Sequence, residues 1–137
     1  MIVLDTDVVS AIMRPALEPK IARWLAGLGD EPIAVATVTI VEITRGLERL
    51  ASGRRRDDLT ERFEKFVAPA NRLTVLSLDE AAARRAGVFL SIRETLGRPV
   101  GIADMMIAGV AATNSSELAT RNVRDFEGIG LKLVDLR

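Results

Sequence analysis

Apolar and polar positions along this chain switch between two periods. Ile2-Val3-Leu4 is a short apolar run ended by Asp5, the pattern of a strand buried on both faces. From Asp7 to Met13 the spacing turns helical and stops before Pro15. Pro19 to Leu28 puts Ile21, Trp24, Leu25 and Leu28 on one face, and Gly29-Asp30 closes that helix. Ile33 to Thr37 reads as a second buried strand. Thr39 to Ala51 follows as a helix with Ile40, Ile43, Leu47 and Leu50 as its core stripe and Gly53 beyond its end. The mixed run Arg54-Arg55-Arg56-Asp57-Asp58 reads as a solvated turn leading into a charged helix from about Asp57 to Val67. Leu73 to Leu78 alternates as a third strand. Asp79 caps a long helix to about Leu96, which Gly97 and Pro99 break. Ile102 to Thr113 is apolar nearly all round, the mark of a buried central helix. Leu118-Ala119-Thr120 is a fourth strand, and Leu131 to Leu136 a last, peripheral one.

Strands that alternate with helices pair in parallel and build an α/β sandwich. With 137 residues, no internal repeat and no linker-like stretch, the expectation is one domain over 1–137. Apolar residues at 48% and charged residues at 28% fit a globular chain. Nineteen basic and nineteen acidic side chains cancel, so any contact with nucleic acid must come from a local patch. The chain has no cysteine, histidine or tyrosine. Thiolate metal sites, disulfides, histidine triads and imidazole acid–base chemistry are excluded. The apolar start meets Asp5 too soon for a signal-peptide core, and neither Ile33–Val41 nor Met105–Ala112 reaches the roughly 18 residues of a membrane helix. A cytoplasmic protein is expected.

Parallel α/β sheets bind ligands outside the carboxyl ends of their strands. Asp5 ends the first strand, and Thr120-Arg121-Asn122 ends the fourth, with Asp125 three residues on. Glu42 falls near the start of the helix after the second strand, and Asp104 in the first turn of the apolar helix. The four acids thus share one edge. Each has a plain alternative: Asp5, Asp104 and Asp125 as caps, Glu42 as a surface ion pair with Arg45. Together they would repel, and a hard divalent cation, Mg²⁺ or Mn²⁺, is the natural counter-ion. In a chain without His or Cys, a metal-bound water is also the strong nucleophile on offer near neutral pH, and open Mg²⁺ positions suit phosphate esters. Phosphodiester hydrolysis is the implied reaction.

With these residues placed, the chain resembles PIN-domain ribonucleases, specifically the VapC toxins of VapBC-type toxin–antitoxin modules, including the FitB-like branch. The resemblance rests on Leu4-Asp5-Thr6-Asp7-Val8-Val9-Ser10, Thr39-Ile40-Val41-Glu42-Ile43-Thr44-Arg45-Gly46, Ile102-Ala103-Asp104-Met105-Met106-Ile107-Ala108 and Ala119-Thr120-Arg121-Asn122-Val123-Arg124-Asp125-Phe126, in that order. It implies an α/β/α sandwich around a short, mostly parallel sheet of four to five strands. It also implies a Mg²⁺ or Mn²⁺ site from Asp5, Glu42 and Asp104, with Thr6 orienting Asp5 or a metal water. For the fourth position the resemblance leaves two residues: Asp125, favoured as the acid, and Asn122, which stands where some relatives carry an acid and stays in the site. A homodimer is implied, along with a small DNA-binding antitoxin of the VapB kind that blocks the site. DNA is then touched only through that complex. Arg45, Arg49 and Arg121, together with Arg54 to Arg56, are the basic residues suited to an RNA backbone.

Two other readings use the same residues. Asp5 and Asp7 resemble the nucleophile and general acid of haloacid-dehalogenase-type phosphatases. That chemistry also needs a well-placed lysine, and Lys20, Lys65 and Lys132 are poorly placed for it. Alternatively the acids are dispersed caps on a non-catalytic α/β binding module.

Overall fold

The computed structural model describes all 137 residues. Five strands form one sheet in the order β3-β2-β1-β4-β5, every pair parallel. They are β1 (Ile2–Leu4), β2 (Ile33–Ala36), β3 (Thr74–Leu76), β4 (Glu117–Thr120) and β5 (Leu133–Asp135). Six helices connect them: α1 (Thr6–Met13), α2 (Pro19–Gly27), α3 (Thr37–Glu48), α4 (Arg54–Val67), α5 (Glu80–Thr95) and α6 (Ile102–Thr113). Short 3₁₀ turns occupy Pro69–Asn71 and Val123–Phe126. The expected α/β/α sandwich is present, and its sheet is wholly parallel.

Side chains on successive strand residues point to opposite faces, and the core divides accordingly. Val3, Ala34, Ala36 and Leu118 pack with α5 and α6 through Ala82, Phe89, Met105 and Ile107. Ile2, Leu4, Val35 and Ala119 pack with α1, α3 and α4 through Val8, Val9, Ile43 and Phe63. The α5–α6 layer is close because Gly109 has no side chain. A methyl there would run into the Ala82 carbonyl oxygen and lie 3.0 Å from the Ala86 nitrogen.

Two local expectations are corrected. Helix α3 starts at Thr37, directly on Ala36, rather than at Thr39. The β-branched Thr37-Val38 pair extends the strand pattern, whereas the Thr37 hydroxyl accepts from the Leu78 N–H at 3.0 Å and secures the helix start against the end of β3. Second, Arg54 to Arg56 are the first turn of α4, not a solvated turn. Cations are unfavourable at a helix N-terminus. Arg56 is offset by an ion pair to Glu48 of α3 at 2.8 Å, while Arg54 and Arg55 stay exposed.

The all-parallel order decides where chemistry can sit. Strands β1, β2 and β4 end at one edge. Helices α1 and α3 begin there, and α6, which runs back before β4, begins there too.

Candidate active site

Asp5 follows β1 directly and is 3% exposed. Its Oδ1 accepts from the Val8 N–H at 3.0 Å, capping α1, so the cap reading of this residue is correct as far as it goes. Its other oxygen accepts from the Thr120 hydroxyl at 2.5 Å. The register explains the meeting: Leu4 lies beside Ala119, so the next pair along β1 and β4 is Asp5 and Thr120. Thr120 is wholly buried and in turn accepts from the Asn122 N–H at 2.9 Å, tying the turn after β4 to Asp5. Burial pushes the Asp5 carboxyl up, against the pull of these two donors.

Glu42 lies on α3 and turns its carboxylate to the Thr6 hydroxyl at 2.6 Å rather than to Arg45. Thr6 Oγ1 also lies 3.0 Å from Thr39 Oγ1. Thr39 and Glu42 are three residues apart on a helix and share a face, so α1 and α3 meet through three polar side chains.

Asp104 stands half-buried in the first turn of α6, and its helix start carries no side-chain cap. Its carboxyl is pushed up to about 6, first by burial and then by the negative charges of Asp125, Asp5 and Glu42. The other three acids named from the sequence therefore all act on Asp104 at one sheet edge. Asp125, on the Val123–Phe126 turn, is half-buried. No three of the carboxylates close on a common point as a ready-made ligand set. What the chain offers is a patch of uncompensated negative charge with Asp5 and Glu42 each oriented by a threonine. Mg²⁺ typically takes one or two carboxylates and keeps several waters, so the donor set fits a hard cation held partly through water.

Thr39 and Thr120 escaped sequence reasoning, although their i, i+3 spacing to Glu42 and strand-end position carried the signal. Arg121 is placed differently from the RNA-facing role expected of it: it donates to Asp7 at 3.0 Å and to Glu18 at 2.6 Å and is only 21% exposed. Arg45 and Arg49 are exposed on and just beyond α3. A groove of about 860 Å³ leads away from Thr6 and Glu42 between α1, α3 and α4. Its floor is apolar (Met13, Ile43, Leu47, Leu59), and Arg14, Arg54, Arg55 and Arg62 rim it.

The PIN-domain family model matches residues 2–130. The chain belongs to the PIN-domain family. This PIN domain is 31% identical over 135 residues to the VapC ribonuclease Y4jK of Sinorhizobium fredii, covering 98% of the chain and 96% of the relative. It is 32% identical over 126 residues to the toxin FitB of Neisseria gonorrhoeae, covering 92% and 91%. A solved structure of FitAB bound to an IR36 DNA fragment superposes with a TM-score of 0.85 at 30% identity, over 99% of this PIN domain and 95% of that chain. No helix is long and apolar enough to cross a membrane.

Proposed function

We propose that this PIN domain is the toxin of a type II toxin–antitoxin module: an endoribonuclease, dependent on Mg²⁺ or Mn²⁺, that hydrolyses RNA phosphodiester bonds. The observation that carries the reading is Asp104, a half-buried carboxylate set among three other acids at the carboxyl edge of a parallel sheet. A fold gains nothing by gathering like charges, and a cation site does. The names of the VapC and FitB relatives support the same activity.

In this reading Asp5, Glu42, Asp104 and Asp125 hold the cation, directly or through water. A bound divalent cation supplies an activated water and screens charge on the phosphate. Thr120 holds Asp5 in one orientation, and Thr6 does so for Glu42. Asn122, exposed on the turn that Thr120 anchors, positions a water or a substrate oxygen. The arginine rim of the groove gives the RNA backbone a path to the acids, with Arg45 and Arg49 on the flank. The protein works in the cytoplasm as a homodimer. A small VapB-like antitoxin blocks the site and carries the DNA contact of the complex, as the FitAB–DNA structure supports.

The phosphatase alternative loses its general acid, because Arg121 holds Asp7 in an ion pair at 3.0 Å. A purely structural role for the acids leaves the charge at Asp104 without a counterpart. The test is cleavage of total cellular RNA by purified protein with Mn²⁺, with EDTA, and with Asp104→Asn. Cleavage that needs the metal and is lost in the variant supports the reading. Equal cleavage by Asp104→Asn overturns it. Arrested growth on expression, relieved by the partner encoded beside it, tests the toxin assignment separately.

A further inference from the structure

Thr39 is wholly buried, and its hydroxyl has one partner, Thr6 Oγ1 at 3.0 Å. Thr6 in turn lies 2.6 Å from Glu42 Oε1. A hydroxyl has a single proton, and an ionised carboxylate only accepts. The Thr6 proton is therefore spent on Glu42, and the 3.0 Å contact must carry the Thr39 proton to Thr6. The order is fixed: Thr39 donates to Thr6, and Thr6 donates to Glu42.

We infer that Thr39 is a positioning residue for Glu42, the far end of a hydroxyl relay that orients the acid for cation binding. The inference rests on the metal-nuclease reading above. Valine has the shape of threonine, and burying a hydroxyl as completely as that of Thr39 costs free energy unless it is bonded. The fold alone would be served as well by valine at this position. What valine cannot do is fill the acceptor side of Thr6. With that side filled, the Thr6 rotor is locked and its O–H is polarised toward Glu42. Supporting residues behind a metal ligand set its orientation in this way. The relay spans β1–α1 and α3, so it also fixes the gap between Asp5 and Glu42.

The full-length protein, wild type and Thr39→Val, is titrated with Mn²⁺ by calorimetry and melted metal-free, and RNA cleavage is followed for kcat and KM. The expected result is an unchanged or higher metal-free Tm with Mn²⁺ bound about fivefold more weakly, the equivalent of one neutral hydrogen bond. The loss in cleavage appears in kcat with KM little moved, and Thr39→Ser restores both. A merely structural threonine would lower Tm and leave Mn²⁺ affinity alone, and that outcome overturns the inference, as does failure of serine to rescue. If the valine protein does not fold, Thr39→Ala serves for the Mn²⁺ affinity and the kcat–KM split alone, because its lost methyl lowers Tm by itself. Wild-type protein that binds no Mn²⁺ overturns the nuclease reading and the relay together. Wild-type and Thr39→Val proteins with equal affinity overturn the relay alone.

Discussion

Replacing Asp104 with Asn keeps the shape of the side chain and removes its charge. In the folded protein this carboxyl is pushed up from 3.8 to about 6 by burial and by Asp125, Asp5 and Glu42. The folded state thus favours the protonated acid. Below about pH 4 both folded and unfolded chains hold the proton, and Asp104 costs nothing. Between about pH 4 and about 6 the unfolded chain has given up its proton while the folded state still holds it, so stability falls across that window and levels off above it. Two pKa units correspond to about 3 kcal/mol, and because Asp104 is only half-buried, screening by solvent brings this to about 1–2 kcal/mol. For a domain of this size that is about 3–8 °C in Tm. Metal-free Asp104→Asn protein should therefore melt higher than wild type at about pH 7.5, by that margin, and the gap should close toward about pH 4. Mn²⁺ should raise the wild-type Tm and leave the variant nearly unmoved. Differential scanning fluorimetry from acid to neutral pH, with EDTA and with Mn²⁺, reads all of this. A variant that melts no higher than wild type at neutral pH would refute the reasoning, because the charges would then not be close enough to matter.

Other outcomes follow from the same geometry. Thr120→Val removes the donor on the second oxygen of Asp5 and should cut RNA cleavage about tenfold or more while the protein stays folded, checked by kinetics beside circular dichroism. Gly109→Ala forces α6 away from Ala82 and Ala86 of α5 and should cost about 2–3 kcal/mol in urea unfolding. Arg93, 4% exposed, donates to the carbonyls of Arg98 and Glu127, so Arg93→Met should destabilise by about 2–4 kcal/mol in the same assay. Arg55→Ala on the groove rim should weaken RNA binding across sequences and flatten its dependence on salt by about one unit, measured by titration at several ionic strengths.

The sheet edge was legible because parallel strands leave strong signals. Short apolar runs ending in Asp5 or in Thr120-Arg121-Asn122 mark strand ends, and the apolar α6 marks the central layer. Those patterns placed the four acids on one edge. Side-chain direction was harder to read. Arg121 looks like a free basic residue in the sequence, and only the fold of α1 and the chain before α2 brings Asp7 and Glu18 to it. The first turn of α4 was hidden for a related reason. Three arginines oppose a helix start, and the Glu48 that offsets Arg56 lies on the preceding helix. Thr39 and Thr120 were visible as residues but not as partners, since a threonine's role depends on what stands within 3 Å of its hydroxyl.

The pairing of β1 with β4 joins Asp5 to Thr120 across 115 residues of chain. A ribosome adds all of the intervening chain before the second of these emerges. The nascent polypeptide therefore cannot assemble its acidic edge while the early strands and helices collapse. Closure of that edge is therefore a late event in the folding of this chain, set by when β4 reaches β1.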